Sequence, residues 1–96
     1  MPEALTSNSV EAVLASGFAG VPQVRHVLLE KADGPLLVWI AVDNPEPAVR
    51  RRIYQQELDL IEAFPETDFD FNLIPAMNRP ASEIVTGARV VYSRPE

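Results

Sequence analysis

Residues 36–42 read Leu36-Leu37-Val38-Trp39-Ile40-Ala41-Val42, an unbroken apolar run closed by Asp43. A strand with one wet face alternates apolar and polar residues, whereas a strand covered on both faces reads as a continuous apolar run. The stretch therefore predicts the centre of a sheet. It also falls far short of the ~20 apolar residues a membrane-spanning helix needs.

Immediately upstream, Val24 to Lys31 alternates and is rich in β-branched and aliphatic residues, and Ala32-Asp33-Gly34-Pro35 is strong turn chemistry. The two runs predict a β-hairpin. Downstream, Asn44 is placed to cap a helix and Pro45 to fill its first turn, where a missing N–H costs nothing. This helix is expected to run to about Ala63, with Val49, Ile53, Leu60, Ile61 and Phe64 as its buried stripe, widened by Tyr54 and Leu58. Phe64-Pro65 ends it, because the residue before proline avoids helical angles. Asp68 to Ile74 alternates again, with Phe69, Phe71 and Leu73 on one face, and Pro75 closes that strand or marks it as an edge. A helical turn over Pro80 to Val85, stopped by Gly87, leads to a last strand over Arg89 to Ser93. Toward the N-terminus, the first five residues read as a loose tail. Asn8 and Glu11 form a capping-box pattern for a short helix over Ser9 to Ser16, with Gly17 as its stop.

A helix between the second and third strands implies a crossover and a parallel pair. The expected fold is one α+β domain over residues 1–96, a two-layer sandwich. A mixed sheet of about four strands carries the long helix on one face, and the short N-terminal helix covers an edge or the other face. The expected core is Trp39, Ile40, Val49, Ile53, Ile61, Phe64, Phe69, Phe71 and Leu73.

Composition narrows the function. The chain has 96 residues, 47% of them hydrophobic, a net charge of -6 and no cysteine. Disulfides and thiolate metal sites are excluded. An acidic surface disfavours nucleic acid and anionic membranes as partners. The N-terminal MPEALTSNSV has neither the basic nor the apolar region of a secretory signal, so the expected location is the cytoplasm.

Few residues suggest chemistry. Asp68 and Asp70 sit two apart on a strand, a spacing that can hold a divalent cation through oxygen ligands; with Asp43 they are the candidate metal residues, although an alternating strand presents such pairs simply as its wet face. His26, the sole histidine, reads as a strand-surface residue without a triad pattern around it. Arg50, Arg51 and Arg52 form the densest basic cluster, a candidate anion or acidic-partner site or else a solvated helix face. They lie early in a helix, where the macrodipole favours acids. Trp39 reads as core. The central strand is apolar on both faces while the long helix covers one, so Val27, Leu29, Leu37 and Ala41 are candidate interface residues, with a homodimer or another protein as the expected partner.

Three segments, LLVWIAVD, FDFNLIP and RPASEIVTGARVVY, resemble the minimal nucleotidyltransferase group of bacterial proteins. That family has a strand ending in an acidic residue, a helix, a short strand carrying an Asp, and a tail with spaced Ile, Gly and Tyr. Its active site needs a Gly-Ser loop followed by two metal aspartates. Here ADGP stands between Lys31 and Leu36, and Leu36-Leu37-Val38 stands where the aspartates belong; only Asp70 matches a carboxylate of the motif. The resemblance implies a degenerate, non-catalytic relative, an antitoxin-type partner or accessory subunit. The expectation is a non-enzymatic interaction protein with no cofactor. The alternatives are a small metal-dependent nucleotidyltransferase using Asp43, Asp68 and Asp70, and a ferredoxin-like small-ligand binder.

Overall fold

The structure, a computed structural model, describes residues 6–31, 34–43, 46–84 and 87–94. Helix α1 spans Thr6–Ala19, strand β1 Val24–Lys31, β2 Leu36–Val42, helix α2 Pro47–Ala63, β3 Phe69–Pro75 and β4 Arg89–Ser93, with a 3₁₀ turn at Ala81–Glu83. The fold is an α+β sandwich on a four-stranded mixed sheet of order β3-β2-β1-β4. β1 is antiparallel to both β2 and β4, and β2 is parallel to β3, as the helical crossover between them requires. The expected central strand is central.

Both helices lie on one face. Val10, Leu14 and Phe18 of α1 and Val49, Ile53 and Leu60 of α2 form one core with Val24, Val27, Val38, Ile40 and Val42. α1 contacts β1 and β4, which leaves α2 over the β2–β3 half. α1 thus covers the β4 edge, one of the two places expected of it, and only the opposite-face alternative is corrected. Its expected length is corrected as well. Asn8 lies inside the helix, and Gly17 does not end it; the side-chain amide of Gln56 on α2 occupies the space that a Cβ at Gly17 would take. The expected cap Asn44 and first-turn Pro45 lie outside the described residues. Glu46 precedes the observed helix without a side-chain capping bond, and Pro47 takes the first-turn position.

The second face of the sheet is lined by Glu30, Leu28 and His26 on β1, Leu37, Trp39 and Ala41 on β2, and Asp70, Asn72 and Ile74 on β3, as the register dictates. Because β3 and β4 occupy opposite edges, the chain between them has to cross the sheet. It crosses this face: the carbonyl of Arg79 reaches His26 at 3.0 Å, and Leu28 and Ala41 are fully buried. The chain's own connection thus covers part of the face opposite α1 and α2.

Ile40, Val49 and Ile53 are buried as expected. Trp39, Phe64, Phe69, Phe71 and Leu73 are partly buried, and Ile61 is 46% exposed. The stripe on α2 is wider than the surface beneath it, and Ile61 falls on the part left over.

Candidate functional site

The three candidate metal aspartates are not brought together. Asp68 precedes β3, and its carbonyl accepts the N–H of Leu36 at 2.7 Å. Asp70 sits beside Leu37 near the start of β2. Asp43 follows the far end of β2, six residues from Leu37, a distance of about 20 Å along a strand, and lies 3.7 Å from Arg25. Among the described residues no group of three His, Asp or Glu side chains is placed to hold a metal ion.

Arg50, Arg51 and Arg52 are exposed at the start of α2, and Arg52 donates to the Gly20 carbonyl at 2.9 Å. This ties α2 to the end of α1. The four candidate interface residues divide between two faces. Val27 is fully buried and Leu29 partly buried under the helices, so Val27 has no surface to offer a partner. Leu37, partly buried, and Ala41, fully buried, lie on the second face.

His26 is buried rather than on the surface. Its Nε2 faces the Arg79 carbonyl, which can only accept, so this nitrogen donates; Nδ1 lies 2.8 Å from Ser93 Oγ, a hydroxyl that can serve as donor or acceptor. A serine within reach of an imidazole is the first requirement of nucleophilic catalysis. Here the pair lies at the C-terminal end of β4, away from the cavity described next, and it joins β4 and the crossing chain to β1.

That cavity, of about 640 Å³, opens at the other end of the sheet. Val10, Leu29 and Leu36 give it an apolar floor, and its rim carries Glu11, Glu30, Glu66 and Asp68 against Lys31 and Arg89. Arg89 is already paired with Glu11 at 3.3 Å. Carboxylates outnumber cations, so the rim repels phosphates.

Of the exposed large hydrophobic residues, Tyr54 and Ile61 lie together on α2, while Val13, Met77 and Val90 lie on separate elements. Gln56 and Arg52 face α1, which directs the opposite flank of the helix past the β3 edge. Arg50, Tyr54, Glu57, Leu58 and Ile61 recur on that flank at helical spacing. Tyr54 is 59% exposed and Leu58 is partly buried. Partial burial pushes the Glu57 carboxyl above the ordinary carboxylate range, because the charged form loses solvent. Beside this flank, Phe69 and Phe71 stack on β3 with ring centroids 5.3 Å apart, both partly exposed. Local pattern alone assigned Tyr54, Leu58 and Ile61 to the core; only the sheet order shows that α2 lies beside an open edge.

No family model matches the chain, and no curated protein or solved structure matches it.

Proposed function

We propose that the chain is a non-enzymatic interaction module that docks a protein partner against the free flank of α2 and the edge of β3. The observation that carries this reading is the second apolar stripe, Tyr54, Leu58 and Ile61, on the helix that leads into an edge strand carrying the partly exposed Phe69 and Phe71. An edge strand offers unpaired backbone groups as a template for another chain, and contiguous exposed apolar surface marks interaction sites. The resemblance to minimal nucleotidyltransferases points the same way, since a relative lacking the Gly-Ser loop and its aspartates would serve as an accessory or antitoxin-type subunit.

Site-specific photocrosslinking tests the reading. A photoreactive residue at Tyr54 should give discrete protein adducts, either in the purified protein or in extract of its native cell. One at Met77, which is 72% exposed, should give few. Equal yields from the two positions, or none from Tyr54 in either setting, would overturn it.

A further inference from the structure

We infer that the occupant of this surface is a second copy of the same chain, joined β3 to β3 across a two-fold axis at Phe71 so that two four-stranded sheets become one. This rests on the docking reading above and adds the partner and the register. Three independent features of the chain are self-complementary about that one axis.

The first is the backbone of β3. The Leu36 N–H bonds to the Asp68 carbonyl, and the Ala76 N–H bonds to the Val42 carbonyl. Even-numbered residues therefore direct their polar groups toward β2, and the alternation of a strand turns those of Phe69, Phe71 and Leu73 outward. Pro75 shares the outward phase, where its missing N–H breaks no bond to β2. An antiparallel copy that uses all three outward residues sets Phe71 opposite Phe71, and Phe69 opposite Leu73. The same register sets Asp70 opposite Asn72 on the other face, so that no aspartate meets its own copy.

The second is the helix above. Counted from the connection that joins them, Leu58 lies five residues back from Ala63, about 7.5 Å along α2. Phe71 lies two residues on from Phe69, about 6.6 Å along β3. The two distances are alike, and in the proposed dimer an axis through Phe71 brings the Tyr54–Ile61 stripes of the two copies toward each other. Apolar side chains of both layers then meet their copies.

The third is charge. Arg50, Arg51 and Arg52 occupy the first half of α2, while Glu57, Asp59 and Glu62 occupy the second, with Glu66 just beyond. Both ends oppose the helix macrodipole, which favours acids at the start and bases at the end. A two-fold axis at Leu58 makes the paired helices antiparallel and sets Arg50 opposite Glu66 of the other copy, with Arg51 opposite Pro65 and within one helical turn of Glu62.

Sedimentation velocity on the purified full chain should show a dimer. Tyr54→Asp and Ile61→Asp alter exposed positions, so each should leave the circular dichroism unchanged and weaken dimerisation by about 30-fold or more. A chain carrying Arg50→Glu and Arg51→Glu, mixed with one carrying Glu62→Lys and Glu66→Lys, should form mixed dimers in preference to either self-dimer. Because the chain has no cysteine, register can be read directly. Asp70→Cys mixed with Asn72→Cys should crosslink on oxidation, since a facing non-hydrogen-bonded pair is about 4.5 Å apart. A folded monomer at high micromolar concentration overturns the second copy. If that monomer still gives adducts at Tyr54 with another protein, the docking reading survives. A dimer indifferent to both aspartate variants, a charge-swapped pair without mutual preference, or no mixed crosslink also overturns the inference.

Discussion

The imidazole of His26 joins two segments that are far apart in the chain: Ser93, 67 positions away, lies 2.8 Å from Nδ1, and Arg79, 53 positions away, offers its carbonyl to Nε2 at 3.0 Å. One side chain thereby fixes the last strand and the crossing connection to the middle of the sheet. Removing a buried, doubly bonded polar group opens a void and breaks both ties. His26→Ala should lower stability by about 1–3 kcal/mol. Ser93→Ala should cost less, since Ser93 is exposed and water can replace it. The denaturant midpoints of the two variants check this, and equal small shifts would show that His26 is only filling space.

Glu57 supplies a pH dependence. Burial raises its folded-state pKa, while the unfolded value stays near the ordinary ~4.3. Between these values the folded chain binds more protons than the unfolded one, so stability falls as pH rises through that window and the deficit persists above it. Glu57→Gln should therefore stabilise the protein at neutral pH, by roughly a few tenths of a kcal/mol because much of the side chain still meets water. The gain should vanish once the pH falls below the unfolded value. Thermal melts of both proteins across that range measure it; a gain that persists in acid would assign the effect to something other than charge.

The strands were legible because their signals are local. The apolar run 36–42 and the alternations at 24–31 and 69–75 each reflect what lies directly above and below a strand. What failed to show was set by distant residues. Gly17 carries a stop signal, yet the helix runs on to Ala19 with the Gln56 amide of α2 packed against it. His26 looks like a surface residue until Arg79 and Ser93 close over it. Ile61 obeys the helical period as well as Ile53 does, but it lies on the outer flank of α2, where it stays 46% exposed while Ile53 faces the sheet. The candidate docking surface depends on the order β3-β2-β1-β4, which no local pattern encodes.

Ile53 and Ile61 make that difference measurable. Ile53 is 1% exposed and Ile61 46%. Ile53→Ala should cost about 2–5 kcal/mol through lost burial and the cavity left behind. Ile61→Ala should cost under about 0.5 kcal/mol when measured at concentrations low enough to keep the chain monomeric. Urea titrations of both variants at matched dilution test the contrast, and comparable losses would put Ile61 back in the core.

Met77 and Asn78 follow one another with φ of 54° and 58°, the left-handed region that non-glycine residues enter rarely. The turn is held from the Arg79 side: the Arg79 N–H and Nε both donate to the Ala76 carbonyl, and Nη2 donates to the Pro75 carbonyl. Asn tolerates this conformation because its short polar side chain bonds locally, whereas Met gains nothing there and bears a Cβ–carbonyl clash of about 1–2 kcal/mol. Met77 is 72% exposed, so replacing it forfeits little packing. Met77→Gly relieves the clash but makes the unfolded chain more flexible, an opposing effect of about 0.4–1 kcal/mol. The net expectation runs from no change to a gain of about 1.5 kcal/mol. Met77→Ala keeps the Cβ and therefore the clash, so it should not stabilise. Comparing the two by chemical denaturation separates backbone strain from side-chain loss. A glycine variant no more stable than the alanine one would mean that the turn is not strained at Met77.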